Sequence, residues 1–107
     1  MNHKHPARWP AMVLGAALQC AALSANAQTD ALQARSMAAS CANCHGTNGN
    51  AAPGMVALAG YDRAALVKTM ADFKSGARPA TIMHQLAKGY SEAQIDAIAT
   101  YFAAQKK

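Results

Sequence analysis

The chain has 107 residues, 52% of them hydrophobic but only 6% aromatic and 14% charged, and it carries a formal charge of +5. That length holds one small domain and leaves no room for a doubly wound nucleotide-binding fold, while the low charge content excludes a highly charged disordered tail. Alanine supplies much of the apolar content, so composition alone does not say what fills a core.

Asn2 to Arg8 is polar and basic, Ala11 to Leu23 is almost uninterruptedly apolar, and Ser24-Ala25-Asn26-Ala27 provides the small residues of an A-x-A cleavage site. This is the three-part layout of a secretory signal peptide. The apolar run of about 13 residues falls short of the ~20 that span a bilayer, which argues against a retained anchor. Ala17-Leu18-Gln19 ahead of Cys20 makes a poor lipobox. The expected organisation is a signal peptide over residues 1–27 and one domain over residues 28–107, exported to the periplasm.

Cleavage after Ala27 leaves 80 residues, removes Lys4 and Arg8 and lowers the formal charge to +3. So mild a charge, with no basic run, excludes nucleic acid as a partner. No segment of the mature chain is long and apolar enough to span a membrane. An apolar core alone is marginal at this size, and small domains of this kind are usually held by a disulfide, a metal or another staple.

Three helices and a shorter one are expected in chain order. The first covers about Asp30 to Ser40, with Asp30 as cap, Gln33 as its capping-box partner and Leu32 and Met37 as apolar marks among alanines. The second covers about Asp62 to Ser75, capped by Asp62 and stopped by Gly76, with Leu66, Met70 and Phe73 forming one stripe. A short helix covers Ile82 to Lys88 and ends at Gly89. The last runs from Ser91 to about Ala104. Ser91 and Gln94 form its capping box, Tyr90 and Ile95 a hydrophobic staple, and Ile95, Ile98, Ala99 and Phe102 its buried face. Gly46 to Gly60 and Gly76 to Thr81 read as loops, Lys106-Lys107 as a frayed tail. No alternating apolar run suggests a strand, so the class is all-α, with loops long enough to be functional.

Cys41-Ala42-Asn43-Cys44-His45 is C-x-x-C-H, the attachment signal for c-type haem. On a helical turn, residues three apart project to one side. Cys41 and Cys44 can then meet the two vinyl groups on one porphyrin edge, and His45 is placed to bind iron as the proximal ligand. A redox dithiol would need a thioredoxin-like βαβ setting, which the pattern lacks. A zinc site of Cys41, Cys44, His45 and His84 fits poorly, because Cys44 and His45 are adjacent. A disulfide across two residues closes a tiny loop and stabilises little. Haem also answers the question of the core, since a porphyrin is a large apolar plate.

The second axial ligand must come from Met37, Met55, Met70, Met83 or His84. Met37 lies on the helix that leads into Cys41 and cannot cross to the far face. Met70 belongs to the Leu66–Phe73 stripe. Met83, 38 residues after His45, has ample chain to wrap the ring and is the best placed; Met55, His84 and an open site are the alternatives. His84 reads as a surface or loop residue, and Tyr61 and Tyr90 as packing or propionate contacts. A Met/His pair raises the reduction potential and leaves no coordination site for a substrate, which points to electron transfer rather than catalysis at the iron. Lys68, Lys74, Arg78 and Lys88 form either a weak docking surface or a solvated face.

Cys41-Ala42-Asn43-Cys44-His45-Gly46, the Leu58-Ala59-Gly60 turn, Ile82-Met83 and the terminal Ala99-Thr100-Tyr101-Phe102 together resemble class I cytochrome c. Phe73-Lys74-Ser75-Gly76, Thr81-Ile82-Met83 and Ala87-Lys88-Gly89-Tyr90-Ser91 resemble more narrowly the cytochrome subunits of flavocytochrome c sulfide dehydrogenases. The likeness covers most of Ser36 to Ala104. It implies a small helical fold wrapped around one covalent haem c, with Cys41 and Cys44 attaching it, His45 proximal and Met83 distal. It also implies a periplasmic subunit docked to an FAD-containing partner that oxidises sulfide, with electrons passing from flavin to haem and on to a downstream acceptor. Two features depart from the pattern. Some members of that family carry two haem domains, whereas this sequence has one C-x-x-C-H. Many class I members place a Pro two residues before the Leu-Ala-Gly turn, its carbonyl accepting the haem histidine's N–H; here that position is Val56, with Pro53 upstream. The sequence leaves that bond open. The other readings are a free soluble single-haem carrier serving several partners and, more remotely, a zinc or disulfide module.

Overall fold

The computed structural model describes residues 30–107; the expected signal peptide over residues 1–27 and its cleavage site lie outside the described residues. Among the described residues every regular element is helical. These are α1 over 30–39, α2 at Ala42–His45, a 3₁₀ turn at Thr47–Gly49, α3 at Arg63–Ser75, α4 at Met83–Lys88 and α5 at Glu92–Ala103. None of these helices is long and apolar enough to cross a membrane.

The caps read from the sequence set the helix ends. The Asp62 carboxylate accepts from Ala65 N–H at 2.8 Å to start α3, and Gly76, at φ 82°, ends it. At α5 both halves of the capping box form: Gln94 N–H donates to Ser91 Oγ at 3.2 Å, and Ser91 N–H donates to Gln94 Oε1 at 2.8 Å. Each such bond satisfies a backbone donor that has no partner within the helix. α4 starts one residue later than expected, at Met83, with no side-chain cap from Ile82.

The expected buried face of α5 is the observed one: Ile95, Ile98, Ala99 and Phe102 are all buried. Ile98, Ala99 and Phe102 cluster with Ala38 of α1, Leu58 of the loop and Leu66 of α3. α1 departs from expectation. It already includes Asp30, expected as its cap, and its buried residues are Ala34 and Ala38, with Met37 partly buried. Leu32, expected as an apolar mark, is 61% exposed. Alanine has no bulk beyond Cβ, so Ala38 and Ala99 can sit fully inside one cluster and let their backbones approach closely. The alanine-rich composition is in this way part of the core.

The chain between α2 and α3 folds back on a glycine hinge. The Gly49 carbonyl accepts from both Leu58 N–H (2.9 Å) and Ala59 N–H (3.1 Å). Gly49 has φ +79°, and a Cβ on it would lie 2.6 Å from Ala59 N, so only glycine fits. The loop is then fastened to the end of α5. Tyr101 O–H donates to Asn48 Oδ1 at 2.7 Å, Gly60 N–H to the Phe102 carbonyl at 2.9 Å, and Asn50 Nδ2 to the Lys106 carbonyl at 3.3 Å. Lys106-Lys107, expected to fray, is therefore docked, with the Lys107 side chain lying against Gly60. The tail stays because it satisfies a loop amide that a pattern-based reading of the sequence cannot see.

Candidate functional site

α3, α4, α5 and the 46–60 loop enclose a cavity of about 460 Å³. Its wall is formed by Cys41, Cys44 and His45 together with Met55, Val56, Leu66, Met70, Phe73, Met83, Leu86, Ile98 and Phe102, and is largely apolar. That volume falls in the range of roughly 300–1,000 Å³ found for ligand and cofactor sites. A second hollow, between α3 and α5, is more open and is lined by Val67, Ala71, Lys74, Ser75, Glu92 and Ile95. It contains no Cys, His or Met, so the chemistry lies in the first.

Each residue of the pentapeptide has a defined place. Cys41 closes the turn after α1, its N–H bonded to the Ala38 carbonyl at 3.1 Å, and its carbonyl accepts from His45 N–H at 2.9 Å. Both cysteines are free thiols; Cys44 is exposed and Cys41 partly buried. Burial pushes the Cys41 thiol above its ordinary pKa. Helix α2 spans only Ala42–His45, enough for one turn to bring both thiols and the imidazole to the same wall.

The histidine bond that the sequence leaves open at Val56 is formed. His45 Nδ1 lies 2.7 Å from the Val56 carbonyl oxygen. A carbonyl has no proton to give, so Nδ1 carries the hydrogen and Nε2 is the nitrogen left with a lone pair. The bond is delivered by the Gly49 fold-back, which returns the chain to Gly49 two residues beyond Val56.

Of the other candidates, Met83, Met55 and Met70 all reach the cavity, whereas Met37 and His84 are not among its lining residues. Met70 also packs against the core, as its place in the stripe suggested. His84 is partly buried rather than on the surface, and its Nδ1 is buried without a partner. Among the described residues no three His, Cys, Asp or Glu side chains converge as a metal cluster, so Cys41, Cys44, His45 and His84 are not gathered as zinc ligands would be. Of the four cations considered for docking, Lys68 pairs with Asp72 at 2.6 Å, Lys74 donates to the Tyr90 carbonyl at 2.5 Å, Arg78 stacks over Phe73 with 5.4 Å from its guanidinium carbon to the ring centroid, and Lys88 is exposed. Arg78 also lines the cavity, where no carboxylate faces it. The Arg78-Pro79 pair marks its loop in the sequence, but nothing in the spacing points the side chain inward.

Residues 33–106, more than half of the chain, match the family described as Cytochrome c. The chain belongs to the cytochrome c family. It is 41% identical over 63 residues to the cytochrome subunit of sulfide dehydrogenase of Chlorobaculum tepidum, an overlap of 59% of this chain and 57% of that one. It is 41% identical over 83 residues to cytochrome c4 of Pseudomonas aeruginosa, covering 77% of this chain and 41% of the other. It is 44% identical over 64 residues to a thiosulfate dehydrogenase electron acceptor of Stutzerimonas stutzeri, covering 58% and 30% respectively. The chain thus spans little more than half, or less, of the length of these curated relatives. The all-α arrangement is that of a class I cytochrome c, and membership implies a covalently bound haem c and a role as haem electron carrier. The residues present fit that group. A largely apolar cavity has two free thiols and an imidazole on its wall, the imidazole keeps one unprotonated nitrogen, and thioether sulfurs of methionine share the lining.

Proposed function

We propose that the chain is a periplasmic monohaem cytochrome c with His45 and Met83 as axial ligands, accepting electrons from a sulfide-oxidising, FAD-containing subunit. The observation that carries the reading is one cavity lined by Cys41, Cys44, His45 and Met83, with His45 already oriented by the Val56 carbonyl. Cys41 and Cys44 hold the group as thioethers. His45 Nε2 is the proximal ligand, and its Nδ1–H bond to a carbonyl makes the imidazole a stronger donor. Met83 is preferred over Met55 and Met70 because it opens α4, opposite the pentapeptide in chain order, while Met70 is committed to the core and Met55 to an exposed loop. Arg78 is the cation available to offset carboxylates carried in by the cofactor. Bound haem supplies a one-electron iron couple whose potential a Met ligand and an apolar surround raise. The chain's part is to exclude water, fix both ligands and keep the iron closed to substrates.

The likeness to the Chlorobaculum sulfide dehydrogenase subunit supports a sulfide-oxidising donor. The likeness to thiosulfate dehydrogenase electron acceptors favours a second reading, a free carrier that serves other donors. Isolation from the native host separates them: a stable complex with a flavin absorption band supports the subunit, and a protein that always purifies alone supports the carrier. Mature protein beginning at Gln28 and heavier by one haem is the expected mass result. Met83→Ala should abolish the Met–iron charge-transfer band of the ferric protein and lower its potential; an unchanged spectrum would move the distal ligand to Met55 or Met70.

A further inference from the structure

Tyr90 makes contacts that hydrophobic packing alone does not require. Its hydroxyl lies 2.8 Å from Ser40 Oγ, and Ser40 Oγ donates to the Met37 carbonyl at 2.9 Å. A hydroxyl has one proton, so Ser40 has none left for Tyr90, and Tyr90 is the donor of their bond. The Tyr90 carbonyl accepts from Lys74 in the last turn of α3. The Tyr90 N–H donates to the Ala87 carbonyl at 3.3 Å, near the end of α4. Its ring packs against the core and lines the cavity.

One residue therefore ties together the turn that precedes Cys41, the end of α3 and the helix that carries Met83. The pentapeptide forms one part of the cavity wall, α4 another, and the Tyr90–Ser40 bond spans between the chain segments that hold them. We infer that Tyr90 is a positioning residue for the distal ligand: its hydroxyl bond to Ser40 fixes α4 relative to the Cys41–His45 segment and so keeps the Met83 sulfur on the iron. This rests on the His45/Met83 reading above. Phenylalanine would supply the packing equally well, so the hydroxyl is the part that bears on ligation.

Exogenous imidazole reports this directly, because it binds ferric iron only when Met83 has left. In the haem-loaded protein Tyr90→Phe and Ser40→Ala should each raise the apparent imidazole affinity about fivefold, the effect of one hydrogen bond on the Met83-dissociated population. The double variant should do no more than either single one, because both remove the same bond. Ser40→Thr, which keeps the hydroxyl, should behave as the parent. An unchanged imidazole affinity in Tyr90→Phe, additive effects in the double variant, or a lower denaturation midpoint with unaltered imidazole affinity would each overturn the inference. Ser40 is exposed, so its variants fold even if those at Tyr90 do not. A parent protein without a Met–iron band would instead refute the Met83 assignment, and the two failures are told apart by that spectrum.

Discussion

At the scale of single residues, the glycine at position 49 decides more than its size suggests. Its backbone sits at φ +79°, and its carbonyl gathers two amides of the returning chain. A methyl group there would meet Leu58 and Ala59 within 2.9 Å or less. Gly49→Ala should therefore cost about 2–4 kcal/mol, combining left-handed strain with overpacking. It should also disturb the His45–Val56 bond. Gly76 has φ +82°, but a methyl group on it would have nothing within 4 Å, so Gly76→Ala should cost only the strain, about 1–2 kcal/mol. Guanidinium denaturation of both variants, followed through the haem spectrum, checks the difference; equal midpoints would show that crowding plays no part. The Val56 carbonyl illustrates what a sequence hides at this scale. A main-chain acceptor is available at every position, so no letter at position 56 could announce the bond, whereas Cys41, Cys44 and His45 are legible because only their side chains do that chemistry.

At the scale of elements, legibility follows capping. α3 and α5 have their boundaries written in Asp62, Gly76, Ser91 and Gln94, residue types that satisfy backbone groups helices leave unpaired. Ser91→Ala removes one of these and should cost about 1 kcal/mol, read as a fall of about 4–8 °C in the thermal midpoint. No change would mean that tertiary packing alone fixes the start of α5. By contrast, α1 ends at residue 39, close to the expected Ser40, with no glycine or proline to stop it. The 3₁₀ turn lies in the expected 46–60 loop, where Asn48 at φ 54° is a residue type that tolerates this conformation and the Tyr101 hydroxyl holds its side chain. The Arg63–Asp96 ion pair joining α3 to α5 is solvent-exposed on both sides, so burial of Ile98, Phe102 and Leu66 holds these helices together rather than charge.

At the scale of the whole molecule, the cavity sets the terms of stability. Without the cofactor the largely apolar wall of this cavity of about 460 Å³ would face water, forgoing burial worth several kcal/mol at roughly 25 cal/mol per Å². A small domain has only about 5–15 kcal/mol in total. The fold is therefore expected to depend on its cofactor. Cys41→Ala/Cys44→Ala protein, unable to hold haem covalently, should show reduced helical circular dichroism and no cooperative thermal transition; a sharp transition at the parent's midpoint would show that the walls can collapse on themselves. The sequence pointed to this dependence through its scarcity of aromatics, yet the particular wall, with Arg78 and Tyr90 on it, emerges only when distant segments are brought side by side.

Because the group that orients His45 belongs to the main chain, the side chain at position 56, 61% exposed at the cavity's edge, takes no part in ligation. A substitution there leaves the acceptor for Nδ1 in place as long as the backbone keeps its course, so position 56 can change in size or polarity without changing which imidazole nitrogen stays free.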